Sequence, residues 1–70
     1  MSGDLQTVVG RNLRKRRDEL GMSQEAFAEH LGFHRTYVGA LERGERNLSL
    51  RSLEQLAELL QVDPRDLLRD

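Results

Sequence analysis

Apolar residues recur along this chain at the three-and-four spacing of helices, in segments broken by glycine and by short polar residues. Over residues 4–20, Leu5, Val8, Val9, Leu13 and Leu20 fall on one broad stripe, with Asp4 placed as an N-cap and Gly21 as a left-handed stop. Three later starts share one construction: an apolar residue, a capping residue, then a second apolar residue that closes a hydrophobic staple. Met22, Ser23 and Phe27 form the first, Leu48, Ser49 and Leu53 the second, and Val62, Asp63 and Leu67 the third. Pro64 then stands at a first helical position, where its missing N–H is harmless. Gly32 and Gly44 mark further stops. The pattern predicts an all-α chain of five helices, near residues 4–20, 24–31, 35–43, 50–60 and 64–69. No segment alternates with period two, so no strand is expected.

The same periods select Leu13, Leu20, Phe27, Ala28, Leu31, Val38, Leu41, Leu53, Leu56, Ala57 and Leu60 as the centre of the core. Gly10 inside the first helix costs about 1 kcal/mol relative to alanine, which points to close packing or to a frayed first turn. A length of 70 residues allows one small domain, expected over residues 1–70. A chain this short buries only about 60% of the surface that its unfolded form exposes. Without cysteine there is no disulfide to supplement the core, so association between copies is the natural supplement. No apolar run is long enough to span a bilayer and no signal-peptide pattern opens the chain, so a cytoplasmic location is expected.

Charge enters with two opposing messages. The net charge of -1 argues against nucleic acid, whose binding is dominated by cationic contacts. The distribution argues the other way: residues 1–51 hold nine Arg or Lys against seven Asp or Glu, and residues 52–70 hold two against five. The local field decides binding, not the total. Ten of the eleven cations are arginine, whose planar fork suits guanine edges and phosphates. Arg11, Arg14 and Lys15 lie opposite the apolar stripe of the first helix, either as a solvated face or along a phosphate backbone.

Residues 23–44 read as two short helices joined by a tight turn, with small Ala28 near the crossing and Gly32 in the turn. With Val38 and Leu41 facing inward, His34, Arg35, Thr36 and Gly39 cannot all be buried. The front of the third helix is therefore available to an outside partner. Enzyme chemistry is not expected. His30 and His34 have metal-like spacing, but Gly32 breaks the helix between them. Ser23 has no histidine and acid partners, and no glycine-rich phosphate loop follows a strand.

At this point the chain resembles the lambda-repressor-like helix-turn-helix domains of phage repressors, Cro proteins and small bacterial regulators. The resemblance rests on L-R-K-R-R-D-E-L-G-M-S-Q-E-A-F-A, then L-G, then Y-V-x-x-L-E-R-G-x-R-N, then S-L-x-x-L-x-x-L-A, and runs from about Val9 to Leu68. Within that family, H-R-T-Y-V-G-A-L-E-R-G-E-R-N-L-S is most similar to the controller proteins of restriction-modification systems.

The resemblance implies a compact five-helix domain that binds double-stranded DNA, with the helix-turn-helix at residues 23–44. His34, Arg35 and Thr36 would read bases, Arg35 as a fork to guanine. Gln24, Tyr37, Arg43, Arg46, Asn47, Ser49 and Ser52 would meet the backbone, with Arg46 able to reach the minor groove. Arg17 and Glu42 would form an ion pair that orients Arg17, taken as exposed and so contributing only about 0–1 kcal/mol. Gln24, Tyr37 and Ser49 also have ordinary roles, as a surface residue, core rim and N-cap. Gly39 and Ala40 stand where relatives often carry a polar reader, which leaves the back half of this helix with little hydrogen bonding of its own.

The resemblance further implies a two-fold homodimer formed by about residues 59–70, with Leu59, Leu60, Val62, Leu67 and Leu68 at the contact. Leu67 and Leu68 have the competing role of closing the monomer core. The implied function is a transcriptional regulator on a pseudo-palindromic operator, with no cofactor, no metal and no small-molecule ligand. The rival reading is a protein-interaction module of the antitoxin or coactivator type.

Overall fold

The computed structural model describes residues 4–69; residues 1–3 and 70, the ends of the expected domain and of the expected dimer region, lie outside the described residues. Four α-helices follow one another: α1 (Leu5–Glu19), α2 (Gln24–Leu31), α3 (Arg35–Glu42) and α4 (Leu50–Leu60). Each starts on a side-chain cap. Asp4 accepts from the Thr7 N–H at 2.8 Å, Ser23 from Ala26 at 3.1 Å, His34 Nδ1 from Thr36 at 3.1 Å and Ser49 from Ser52 at 3.0 Å. Each satisfies one of the orphan donors of a first turn.

The four ends also share one motif. A residue in the left-handed region follows each helix, and the next N–H reaches back five residues: Met22 to Arg17, Phe33 to Ala28, Glu45 to Ala40 and Val62 to Ala57. Gly21, Gly32 and Gly44 hold three of these positions, and Gln61, at φ 57°, holds the fourth.

The fifth helix expected over residues 64–69 is instead a single 3-10 turn, Pro64–Leu67. Asp63 caps it through the Arg65 N–H at 2.9 Å, and the Arg65 guanidinium and that same N–H hold the Asp63 carboxyl down to about 2. Its backbone bonds have the tighter three-residue reach, from the Asp66 N–H to the Asp63 carbonyl at 2.8 Å and from the Leu68 N–H to the Arg65 carbonyl at 3.1 Å. The Asn12 side-chain amide donates to the carbonyls of Leu67 at 3.0 Å and Arg69 at 2.8 Å, drawing the C-terminal backbone across α1. That path puts Leu67 into the core.

Val9, Leu13, Phe27, Ala28, Leu31, Val38, Leu41, Leu53, Leu56, Ala57, Leu60 and Leu67 form the core cluster, with Phe27 fully buried at its centre. Leu20, expected inside, is 38% exposed. It is the C-cap of α1, past the point where the helical stripe can turn it inward. Gly10 is explained by packing. A Cβ there would lie 2.7 Å from the Glu42 carbonyl oxygen, because α1 and α3 cross backbone to backbone at this point. Among the described residues no helix is long and apolar enough to cross a membrane.

Candidate nucleic-acid interface

The front of α3 is positioned by what lies behind it. Val38 and Leu41 are buried on the core side, so residues 34–36 face outward by helical geometry alone. His34, Arg35 and Thr36 are all exposed. His34 spends Nδ1 on the Thr36 N–H, so its reading edge is Nε2.

The position of α3 is locked by a polar network that the sequence shows only in part. Glu42 accepts from Arg17 Nε at 2.7 Å and Arg17 Nη2 at 3.1 Å, a two-pronged carboxylate pair. Arg17 Nη1 also donates to the Met22 carbonyl at 3.0 Å, which ties α1, the turn before α2 and α3 together. The pair is not the exposed one expected. Its side chains are 13% and 4% exposed, because the helix crossing at Gly10 brings α1 and α3 too close for water to surround it. The hydrogen bonds that Arg17 donates to Glu42 are the main reason its guanidinium is pushed above its ordinary pKa.

The Gln24 amide nitrogen donates to Glu42 as well, at 3.0 Å. The side chain expected to meet a phosphate is thus already oriented by the buried pair. Gln24 lines one shallow concavity with Arg35, Thr36, Gly39 and Arg43.

Beside this concavity runs an aromatic and cationic stack. Phe33 meets the half-buried Tyr37 edge to face at 5.2 Å, and the Arg46 guanidinium lies 5.1 Å from the Tyr37 ring centre. Phe33 was not among the expected site residues, although its four-residue spacing from Tyr37 was available as a signal. Asn47 is exposed in the loop after α3. Ser49 and Ser52 hydroxyls bond each other at 3.0 Å while Ser49 caps α4, which places both hydroxyls at the N-terminus of that helix.

The five leucine and valine residues expected at a dimer contact do not share one surface. Leu60 and Leu67 are buried inside this chain, at 2% and 3% exposure. Leu59, at 46%, shares a shallow depression with Phe33, Gln55 and Glu58, whereas Leu68 lines a different one with Leu5, Leu48 and Leu50. Val62 is half-buried. The cause is the 3-10 turn, which turns Leu67 inward and sends Leu68 to the α1 side.

Comparison with known proteins gives the same architecture. A helix-turn-helix family model matches residues 13–67. The control protein C.BamHI of Bacillus amyloliquefaciens is 39% identical over 69 residues, covering 97% of this chain and 85% of that protein. The crystal structure of the restriction-modification controller protein C.AhdI from Aeromonas hydrophila superposes with a TM-score of 0.75 at 44% identity, covering 89% of this chain and 94% of that one. The restriction-modification controller C.Esp1396I, solved as a tetramer with its natural 35 base-pair operator, gives 0.74 at 32% identity over 97% of this chain and 100% of that one. With its capped helices, its glycine-bearing turn and a family match over most of its length, the chain belongs to the helix-turn-helix family.

Proposed function

We propose that this protein is a sequence-specific transcriptional regulator of the restriction-modification controller type, acting without catalysis in the cytoplasm as a homodimer on a pseudo-palindromic operator. The observation that carries this reading is the exposed His34-Arg35-Thr36 front of a helix whose other face is buried and whose position is locked by the Arg17–Glu42–Gln24 network. Similarity to controller proteins, one of them solved on its operator, supports it. Arg35 forms a two-pronged contact to guanine O6 and N7, and Thr36 meets a neighbouring base. The N-termini of α2 and α4, with Gln24, Ser49 and Ser52, hold phosphates on either side and set the register. Tyr37, Arg46 and Asn47 flank the backbone beside them.

The dimer contact draws on the surface around Leu59 and Val62, since Leu60 and Leu67 already serve the monomer core. Two copies then place their α3 helices about 34 Å apart, one turn of DNA. The test is binding of wild type and Arg35→Ala to a site selected from a random pool and to random DNA. Arg35→Ala costs about 1–3 kcal/mol at the selected site and little on random DNA. Equal losses on both would show that Arg35 is not a base reader.

A further inference from the structure

Gly39 lacks a side chain in the middle of the outward face of α3, yet it is buried. What covers it is not core. A Cβ on Gly39 would lie 3.1 Å from Arg43 Nη1, 4.0 Å from Arg43 Cζ and 3.7 Å from Gln24 Oε1. Two polar side-chain ends, both belonging to exposed residues, therefore lie over the gap.

Arg43 reaches this place because a side chain on a helix leans toward the N-terminus and overlies the residue four positions earlier. Glu45 pairs with Arg43 at its Nε, 3.1 Å away, and Arg43 Nη1 lies over Gly39 at the concavity shared with Arg35, Thr36 and Gln24. The Arg43 side chain thus folds back over α3.

We infer that Arg43 is a base-reading residue in the major groove, its guanidinium occupying the place of the side chain absent at Gly39 and paired there with Glu45. The inference rests on the proposed DNA-binding function and adds a specificity determinant to it. The two Nη groups of an arginine form an end-on fork, which suits the O6 and N7 acceptors of guanine. Overlying Gly39, the guanidinium meets the groove at a different base from the one that Arg35 reads, since both line the same concavity from different turns of α3. Gly39 is then a specificity residue through its lack of a side chain: a larger residue there displaces the fork.

The experiment is selection of bound DNA from a random pool by wild type, Arg43→Ala, Gly39→Gln and Glu45→Ala, each checked for its thermal unfolding midpoint, followed by binding to single-base variants of the wild-type site. Wild type is expected to prefer guanine at two separate positions of each half-site. Arg43→Ala is expected to lose on the order of tenfold discrimination at one of them, and to keep the preference that Arg35→Ala removes. Gly39→Gln is expected to lose the same preference although Arg43 is still present. Glu45→Ala is expected to weaken that preference while binding random DNA more tightly, since it removes a negative charge from the interface.

A uniform fall in affinity for Arg43→Ala, with every base preference unchanged, overturns the inference, leaves the proposed function standing and returns Arg43 to the backbone. A pool in which wild type enriches no motif overturns both.

Discussion

At the scale of single residues, the informative positions are those where one atom more or less decides the packing. Gly10 is such a position, since a methyl group there meets the Leu41 and Glu42 backbone carbonyls of α3. In an open helix alanine would gain about 1 kcal/mol over glycine. Here overpacking outweighs that gain, and Gly10→Ala is expected to destabilise the fold by about 1–3 kcal/mol, read as a lower denaturant midpoint with an unchanged slope. Glu42 is the second. Its buried carboxylate holds both Arg17 and Gln24, so Glu42→Ala leaves a guanidinium without its partner. The expected loss is about 3–5 kcal/mol in equilibrium unfolding. A loss below about 1 kcal/mol would mean that water reaches the pair after all. The sequence leaves Gly10 open between close packing and a frayed turn and pairs Glu42 with Arg17 only as an exposed contact, so the size of neither effect is readable from it.

Elements were far more legible, because each helix carries its own start and stop. Asp4, Ser23, His34 and Ser49 cap the four helices, and glycine in the left-handed region follows three of them. The fourth end departs from this pattern. Gln61 takes φ 57°, a conformation in which a Cβ is strained by roughly 1 kcal/mol. Gln61→Gly relieves that strain at some expense in backbone entropy. The expected outcome is a gain of about 0.5–1 kcal/mol, a rise of a few degrees in the unfolding midpoint, with Gln61→Ala giving none. The expected fifth helix departs further, as a single 3-10 turn over Pro64–Leu67. Asp63 and Pro64 do start a turn, but the backbone that follows is held against α1 by Asn12, more than fifty residues earlier in sequence, which donates to the Leu67 and Arg69 carbonyls. Local patterns carry no information about such a partner.

For the whole molecule, the question is which apolar surface remains once the monomer is folded. Leu59 is exposed while Leu60 and Leu67 are not, so a variant that tests association without unfolding the core is Leu59→Asp. Sedimentation at tens of micromolar is expected to give a dimer for wild type and a shift toward monomer for Leu59→Asp, with equal helical content by circular dichroism. A wild-type monomer at that concentration would exclude the two-fold operator reading. Leu50, 83% exposed beside Leu5, forms a separate apolar surface at the start of α4 and serves as the control position.

The sequence by itself determined the helices, their caps, most of the core and the outward front of α3, because these follow from periodicity and from capping chemistry within a few residues of each position. It also carried the resemblance to the helix-turn-helix family, through motifs spread from about Val9 to Leu68. Only the tertiary structure decided that the Arg17–Glu42 pair is buried, that Gly10 is a crossing point, that Leu60 and Leu67 face inward and that Arg43 lies over Gly39. Each of these depends on distances between segments far apart in sequence or on the direction a long side chain takes, and such distances are set by packing. The gap at Gly39, which the sequence presents as a missing reader, is filled in three dimensions by an arginine from the next turn.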